Sequence, residues 1–168
     1  MPASHTKPEV QIYTDGAAKG NPGLSGYGAV LIFGEHRKEL SGGFRWSTNN
    51  RMELMATIVG LEALKKACRV ELFSDSKYVV DAVEKRSVFR WQARNWWRTR
   101  DEKAKNVDLW QRFLAAYGKH EVRLQWVKGH AGHEENERCD DLAVGAALGE
   151  NLEIDAPYEE LNPWTGGA

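Results

Sequence analysis

The stretch that decides the fold is Val10–Phe33, VQIYTDGAAKGNPGLSGYGAVLIF. Val10–Thr14 alternates apolar and polar side chains and includes β-branched residues, the period-two pattern of a strand with one buried face. Asp15 closes that run. Glycines then recur at 16, 20, 23, 26 and 28 around an Asn21-Pro22-Gly23 turn signal, which predicts a loop from Gly16 to Gly28. Gly28–Phe33 and Glu39–Phe44 predict two more strands. The short glycine-bearing connections favour an antiparallel meander for these first three.

Working outward, Thr48 or Asn49 can cap a helix running to about Lys66. Met52, Leu54, Met55, Ile58, Leu61 and Leu64 surround most of its axis, so this helix should be largely buried. Val70–Ser74 predicts a fourth strand, and Ser76 can cap a short helix from Lys77 to about Lys85. A tryptophan-rich basic stretch follows, then a helix near Val107–Tyr117, a fifth strand at Val122–Val127, a loop at Gly129–His133 and a last helix at about Glu135–Leu148. There is no internal repeat. Strands and helices mix within one α/β domain at 10–149, preceded by a polar N-terminal tail at 1–9 that is expected to be flexible. Residues 150–168 lack periodicity, contain Pro157 and Pro163, and are expected to form a flexible acidic tail.

With 168 residues, 42% of them hydrophobic and 28% charged, the chain has apolar material for one sizeable core. No apolar run is long enough to span a membrane, and the polar N-terminus does not read as a signal peptide. Cys68 and Cys139 stand far apart, which suits a reducing cytoplasm better than a disulfide framework. The formal net charge is only −1, yet its distribution is uneven. From Glu84 to Asn106 eight lysines and arginines outweigh three acids, a net +5, whereas 150–168 carries five acids and no lysine or arginine. The small total therefore conceals a candidate nucleic-acid surface.

Four acids occupy notable places. Asp15 ends the first strand, Glu53 lies near the start of an otherwise apolar helix, Asp75 ends the fourth strand, and Asp140 sits in the last helix. Singly each has an ordinary explanation: a turn former, a partner for the helix dipole, a solvated helix face. Ends of adjacent strands lie about 5 Å apart, so the four could also meet. Gathered carboxylates repel one another unless cations compensate them, and hard divalent metals with oxygen ligands do so. Two such ions about 3.5–4 Å apart would clamp the attacking and leaving oxygens of a phosphodiester.

Thr14-Asp15-Gly16, Gly20-Asn21-Pro22-Gly23, Gly26-Tyr27-Gly28, Thr48–Leu54, Ser74-Asp75-Ser76 and Trp126–His133 through Asn136–Asp140 together resemble type I ribonuclease H of the bacterial kind, in the same order and over roughly Val10–Leu148. The resemblance implies a ribonuclease H-like α/β fold, a five-stranded mixed sheet flanked by helices with strands 1–3 antiparallel. It implies an endonuclease that hydrolyses the RNA strand of RNA/DNA hybrids and leaves 3′-hydroxyl and 5′-phosphate ends. Asp15, Glu53, Asp75 and Asp140 match its metal-binding acids, for two Mg2+ ions that Mn2+ can replace. His130 matches its loop histidine, which serves proton transfer or product release. Asn21, Thr48, Asn49 and Asn50 match hybrid-contacting positions, and the basic stretch with Arg90, Arg94 and Trp96 matches the substrate-binding handle.

Lys77 stands where many relatives carry a substrate-touching glutamine, Ala18 stands where cysteine is common, and the Trp96-Trp97 pair is unusual. Phosphate contacts position a duplex without reading it, so little sequence preference is expected. A monomer is expected. Trp91, Trp96 and Trp97 can either pack a helix hairpin or stack on bases, and packing is favoured for most of them. A zinc site at His130, His133 and Cys139 fits no strong ligand spacing. A DNA-junction resolvase or transposase-like nuclease on the same fold, and a non-catalytic hybrid binder, are the functional rivals.

Overall fold

The computed structural model describes residues 7–129 and 133–166. β1 (Glu9–Lys19), β2 (Gly23–Phe33) and β3 (His36–Ser47) form the antiparallel meander. β4 (Arg69–Ser74) pairs in parallel with β1, and β5 (Glu121–Trp126) in parallel with β4. The helices are α1 (Asn49–Glu62), α2 (Lys77–Glu84), α3 (Ser87–Ala93), α4 (Val107–Tyr117), α5 (Glu134–Ala147) and α6 (Ala156–Leu161). The α/β class and the antiparallel first three strands are as expected. The sheet has a sixth strand, β6 (Leu152–Glu153), parallel to β3, giving the order β5-β4-β1-β2-β3-β6.

Strand alternation assigns the two faces of the sheet, because paired residues share a face. Ile12 lies opposite Leu31 and beside Leu72, and its Cγ2 is 2.9 Å from where a Cβ on Gly60 of α1 would be. That face, with Val10 and Val70, packs against α1 and the fully buried Trp110 and Phe113 of α4 to make the core. Tyr13 and Asp15 point the other way. Asp15 pairs with Gly28, and a Cβ on Gly28 would lie 2.5 Å from the Cys139 carbonyl oxygen of α5. The glycine thus lets α5 lie directly on the strand.

Three expectations are corrected. The Gly16–Gly28 stretch is mostly strand, with the turn confined to 20–22. Its glycines serve close helix approach more than chain reversal. The basic stretch contains a helix of its own, α3, after Arg86 takes a left-handed backbone (φ 65°). The segment after 150, expected to be flexible, is docked on β3 and α1. Asp155 is buried, accepts from Ser47 Oγ at 2.6 Å and pairs with Arg51 at 2.7 Å. Farther along, Glu159 holds Arg45 with bonds of 3.1 and 2.8 Å, and Asn162 accepts from Trp46 Nε1 at 3.1 Å. These partners are non-local, so no local pattern signals them.

Candidate active site

The parallel pairing of β1 with β4 sets Thr14 beside Ser74, so Asp15 and Asp75 follow side by side where β4 ends; Asp15, expected to end the first strand, lies inside β1, which runs on to Lys19. Glu53 reaches the same place from the first turns of α1. Thr48 starts that helix by accepting from the Arg51 backbone N–H at 3.1 Å. Gly16 then lets α1 settle against β1, since a Cβ there would lie 2.5 Å from the Glu53 nitrogen. As a result, one carboxylate oxygen from each of Asp15, Glu53 and Asp75 lies within 4.8 Å of the others. Asp140, on α5, is outside that set, though its charge helps raise the Asp15 carboxyl.

Burial makes this gathering electrostatically costly. Glu53 is 4% exposed and Asp15 8%. Asp15 is pushed up to about 8, first by burial and then by the charge of Asp75, against a lowering contribution from the Gly16 N–H, which donates to its Oδ1 at 2.8 Å. Burial, then Asp15 and Asp75, raise Glu53 well above the ordinary carboxylate range. No donor reaches Glu53 Oε2 among the described residues. Such a set is built of carboxylates alone, and its all-oxygen donors suit a hard divalent cation.

The other sequence candidates distribute as follows. His130 lies outside the described residues. Asn21 Oδ1 accepts from the Asn49 backbone N–H at 3.1 Å, tying the β1–β2 turn to the start of α1, where Asn50 is exposed. Lys77 opens α2 just after Asp75, with its ammonium 4.7 Å from the Trp126 ring centre. Arg90 and Arg94 are exposed on and just after α3. Arg90 is tied locally to Lys85 O at 2.9 Å and Ser87 Oγ at 3.1 Å. Trp96 has a left-handed backbone (φ 69°) and packs its ring partly buried against the core. Trp91 also packs, edge-on to Trp110 at 6.2 Å, while Trp97 is 41% exposed. His133 occupies the N-cap of α5 but makes no side-chain capping bond. Cys139 is a buried thiol pushed up by burial.

Sequence reasoning passed over Arg51, whose buried guanidinium spans Asp155 and Asp108, and Trp126, whose indole donates to the Asp75 carbonyl at 3.1 Å. Arg51 had a usable signal, a charge inside an apolar helix. Trp126 had none beyond its place beside the glycine-histidine loop.

The family model described as RNase H matches residues 7–148. A ribonuclease H of Desulforamulus reducens is 58% identical over 147 residues, which is 88% of this chain and 92% of that protein. The crystal structure of LC9-RNase H1, a type 1 RNase H with the type 2 active-site motif, superposes with a TM-score of 0.75 at 31% identity, over 96% of this chain and 83% of that one. LC11-RNase H1, solved in complex with an RNA/DNA hybrid, shares the fold with a TM-score of 0.63 at 23% identity, over 82% of this chain and 96% of that one. With the family match covering most of its length and a relative this similar end to end, the chain belongs to the ribonuclease H family and is an enzyme of that class.

Proposed function

We propose that this chain cleaves the RNA strand of RNA/DNA hybrids at the Asp15, Glu53, Asp75 and Asp140 carboxylates, using two Mg2+ ions that Mn2+ can replace. The observation that carries this is the convergence of three carboxylate oxygens within 4.8 Å in a largely buried site beside the end of β4. Two such ions held there would supply an activated water for in-line attack at phosphorus and would stabilise the leaving 3′-oxygen, consistent with 3′-hydroxyl and 5′-phosphate ends. The fold relative LC11-RNase H1 holds the same class of duplex.

The chain's own residues divide the remaining work. Asp15, Glu53 and Asp75 would hold the cations, and Asp140 would add charge on the Asp15 side. The Asn21–Asn49 link keeps the β1–β2 turn against the start of α1, presenting Thr48, Asn49 and Asn50 to the shallow minor groove. Hydroxyls at the 2′ position there distinguish RNA from DNA. Lys77, Arg90 and Arg94 meet phosphates, which positions the duplex without reading sequence. Trp96 supports the α3 region by packing. His130 takes the proton-transfer or product-release role that the resemblance assigns it. The catalytic unit is 10–149, acting as a cytoplasmic monomer. No helix of the described residues is long and apolar enough to cross a membrane.

The test is a strand-labelled hybrid incubated with magnesium, beside Asp15→Asn and an EDTA control. RNA-strand cutting abolished by both controls supports the reading. A folded wild type that binds hybrid and never cuts it, with either metal, establishes a binding module instead.

A further inference from the structure

Trp126 ends β5 and remains 45% exposed, an unusual place for the largest side chain. Two contacts account for its orientation. Its indole N–H donates to the Asp75 backbone carbonyl at 3.1 Å. Its ring face lies 4.7 Å from the Lys77 ammonium. The strand pairing beneath is fixed, with Trp126 beside Ser74 and the Val127 N–H donating to Ser74 O at 2.9 Å. Three residues on, the backbone of Gly129 closes against the carboxylate of Asp75: a Cβ there would lie 2.7 Å from Asp75 Oδ2. The Trp126–Gly129 turn therefore wraps Asp75 from both ends, its carbonyl held by an indole and its carboxylate bordered by bare backbone.

We propose that Trp126 is a positioning residue that fixes the main chain at Asp75 through its indole N–H and, through its ring face, holds the Lys77 ammonium at the start of α2, two residues past Asp75. This rests on the function proposed above. The two actions are separable. The N–H bond sets where a metal-binding carboxylate stands, and residues that orient metal ligands typically change metal affinity by about 10–100-fold when removed. The ring face sets where a cation meets substrate phosphate, which alters duplex binding and its salt dependence. Trp126→Phe removes the donor and keeps a ring face. Lys77→Ala removes the cation and leaves the donor.

The experiment measures Mn2+ affinity of the full chain by titration calorimetry, with kcat and KM on a hybrid and the salt dependence of KM. Trp126→Phe should bind Mn2+ roughly tenfold more weakly and lose kcat, with KM near that of the wild type. Lys77→Ala should keep its Mn2+ affinity while KM rises and the slope of log affinity against log salt falls by about one. Gly129→Ala, which presses on the Asp75 carboxylate from the other side, should also weaken Mn2+ binding, and it decides the matter if Trp126→Phe does not fold. Wild-type Mn2+ affinity in both Trp126→Phe and Gly129→Ala, or an unchanged KM in Lys77→Ala, overturns the inference alone. A wild type that neither binds Mn2+ nor cleaves hybrid overturns the proposed function and this inference together.

Discussion

Replacing Asp155 with alanine should expose how firmly the C-terminal segment is built into the enzyme. Arg51 is 2% exposed on α1, two residues before Glu53. Its guanidinium donates to Asp155 at 2.7 and 2.9 Å and to Asp108 at 2.9 and 2.7 Å. Ser47 adds a bond to Asp155 at 2.6 Å. Truncating Asp155 leaves one edge of a buried cation and one buried hydroxyl without an acceptor. Breaking a buried pair from one side costs about 3–5 kcal/mol. Asp108 keeps the other edge of the guanidinium and its side chain is 37% exposed, which admits solvent and places the loss near the low end, about 3 kcal/mol. For a chain of this size each kcal/mol moves the melting temperature by roughly 2–4 °C, so the expected drop is about 6–12 °C. Asp155→Asn should lose less, since it still offers Ser47 an acceptor. Circular dichroism melts of the full chain measure this, with urea unfolding as a second probe. A melting temperature for Asp155→Ala within about 2 °C of wild type would refute the reasoning, because the segment would then contribute nothing in solution.

Other outcomes follow from the same geometry. In the metal-free chain Asp15 holds its proton up to about 8, against an ordinary value of 3.8. Between those values the folded chain binds a proton that the unfolded chain has released, so stability is fullest below the lower value and is lost as pH rises toward the upper one. Melts in EDTA at about pH 5 and about pH 8 should show the decline; Asp75→Asn should flatten it and raise the melting temperature at the higher pH by relieving repulsion, and a flat wild-type profile would count against it. Gly28→Ala would set a methyl 2.5 Å from the Cys139 carbonyl and push α5 away; it should cost about 1–3 kcal/mol in denaturant unfolding and reduce cleavage by displacing Asp140. Arg94→Ala should weaken hybrid binding evenly across sequences and reduce the salt slope by about one, read from binding isotherms at several salt concentrations.

What the sequence discloses depends on how local the cause is. Ser76 caps α2 by accepting from the Val79 N–H at 3.2 Å, and Thr48 caps α1 in the same manner, so both starts were legible from residue type and spacing. β4, β5 and α4 were legible from alternation and helical periodicity. The strands through Gly16 and Gly23–Gly28 were not. Glycine signals a turn in a local reading, whereas here Gly16 and Gly28 are small because α1 and α5 pass close by. Nor did any pattern near residue 155 announce a partner at Arg51, 104 positions away. The candidate site divides likewise. Asp75 could be placed at a strand end, whereas Asp15 was expected at one and lies inside β1, and their meeting with Glu53 required the parallel β1–β4 register and the close packing of Gly16. Trp96 was matched to the handle by resemblance, with packing favoured for most of the tryptophans there, and its ring packs partly buried against the core.

The most direct test of the central claim is anomalous scattering from Mn2+ in crystals of the chain bound to an RNA/DNA hybrid, with Asp140→Asn used to slow cleavage because Asp140 lies outside the three converging oxygens. Manganese is expected between Asp15, Glu53 and Asp75, against a phosphate of the RNA strand. Manganese absent from that cluster, or bound there against the DNA strand, would contradict it.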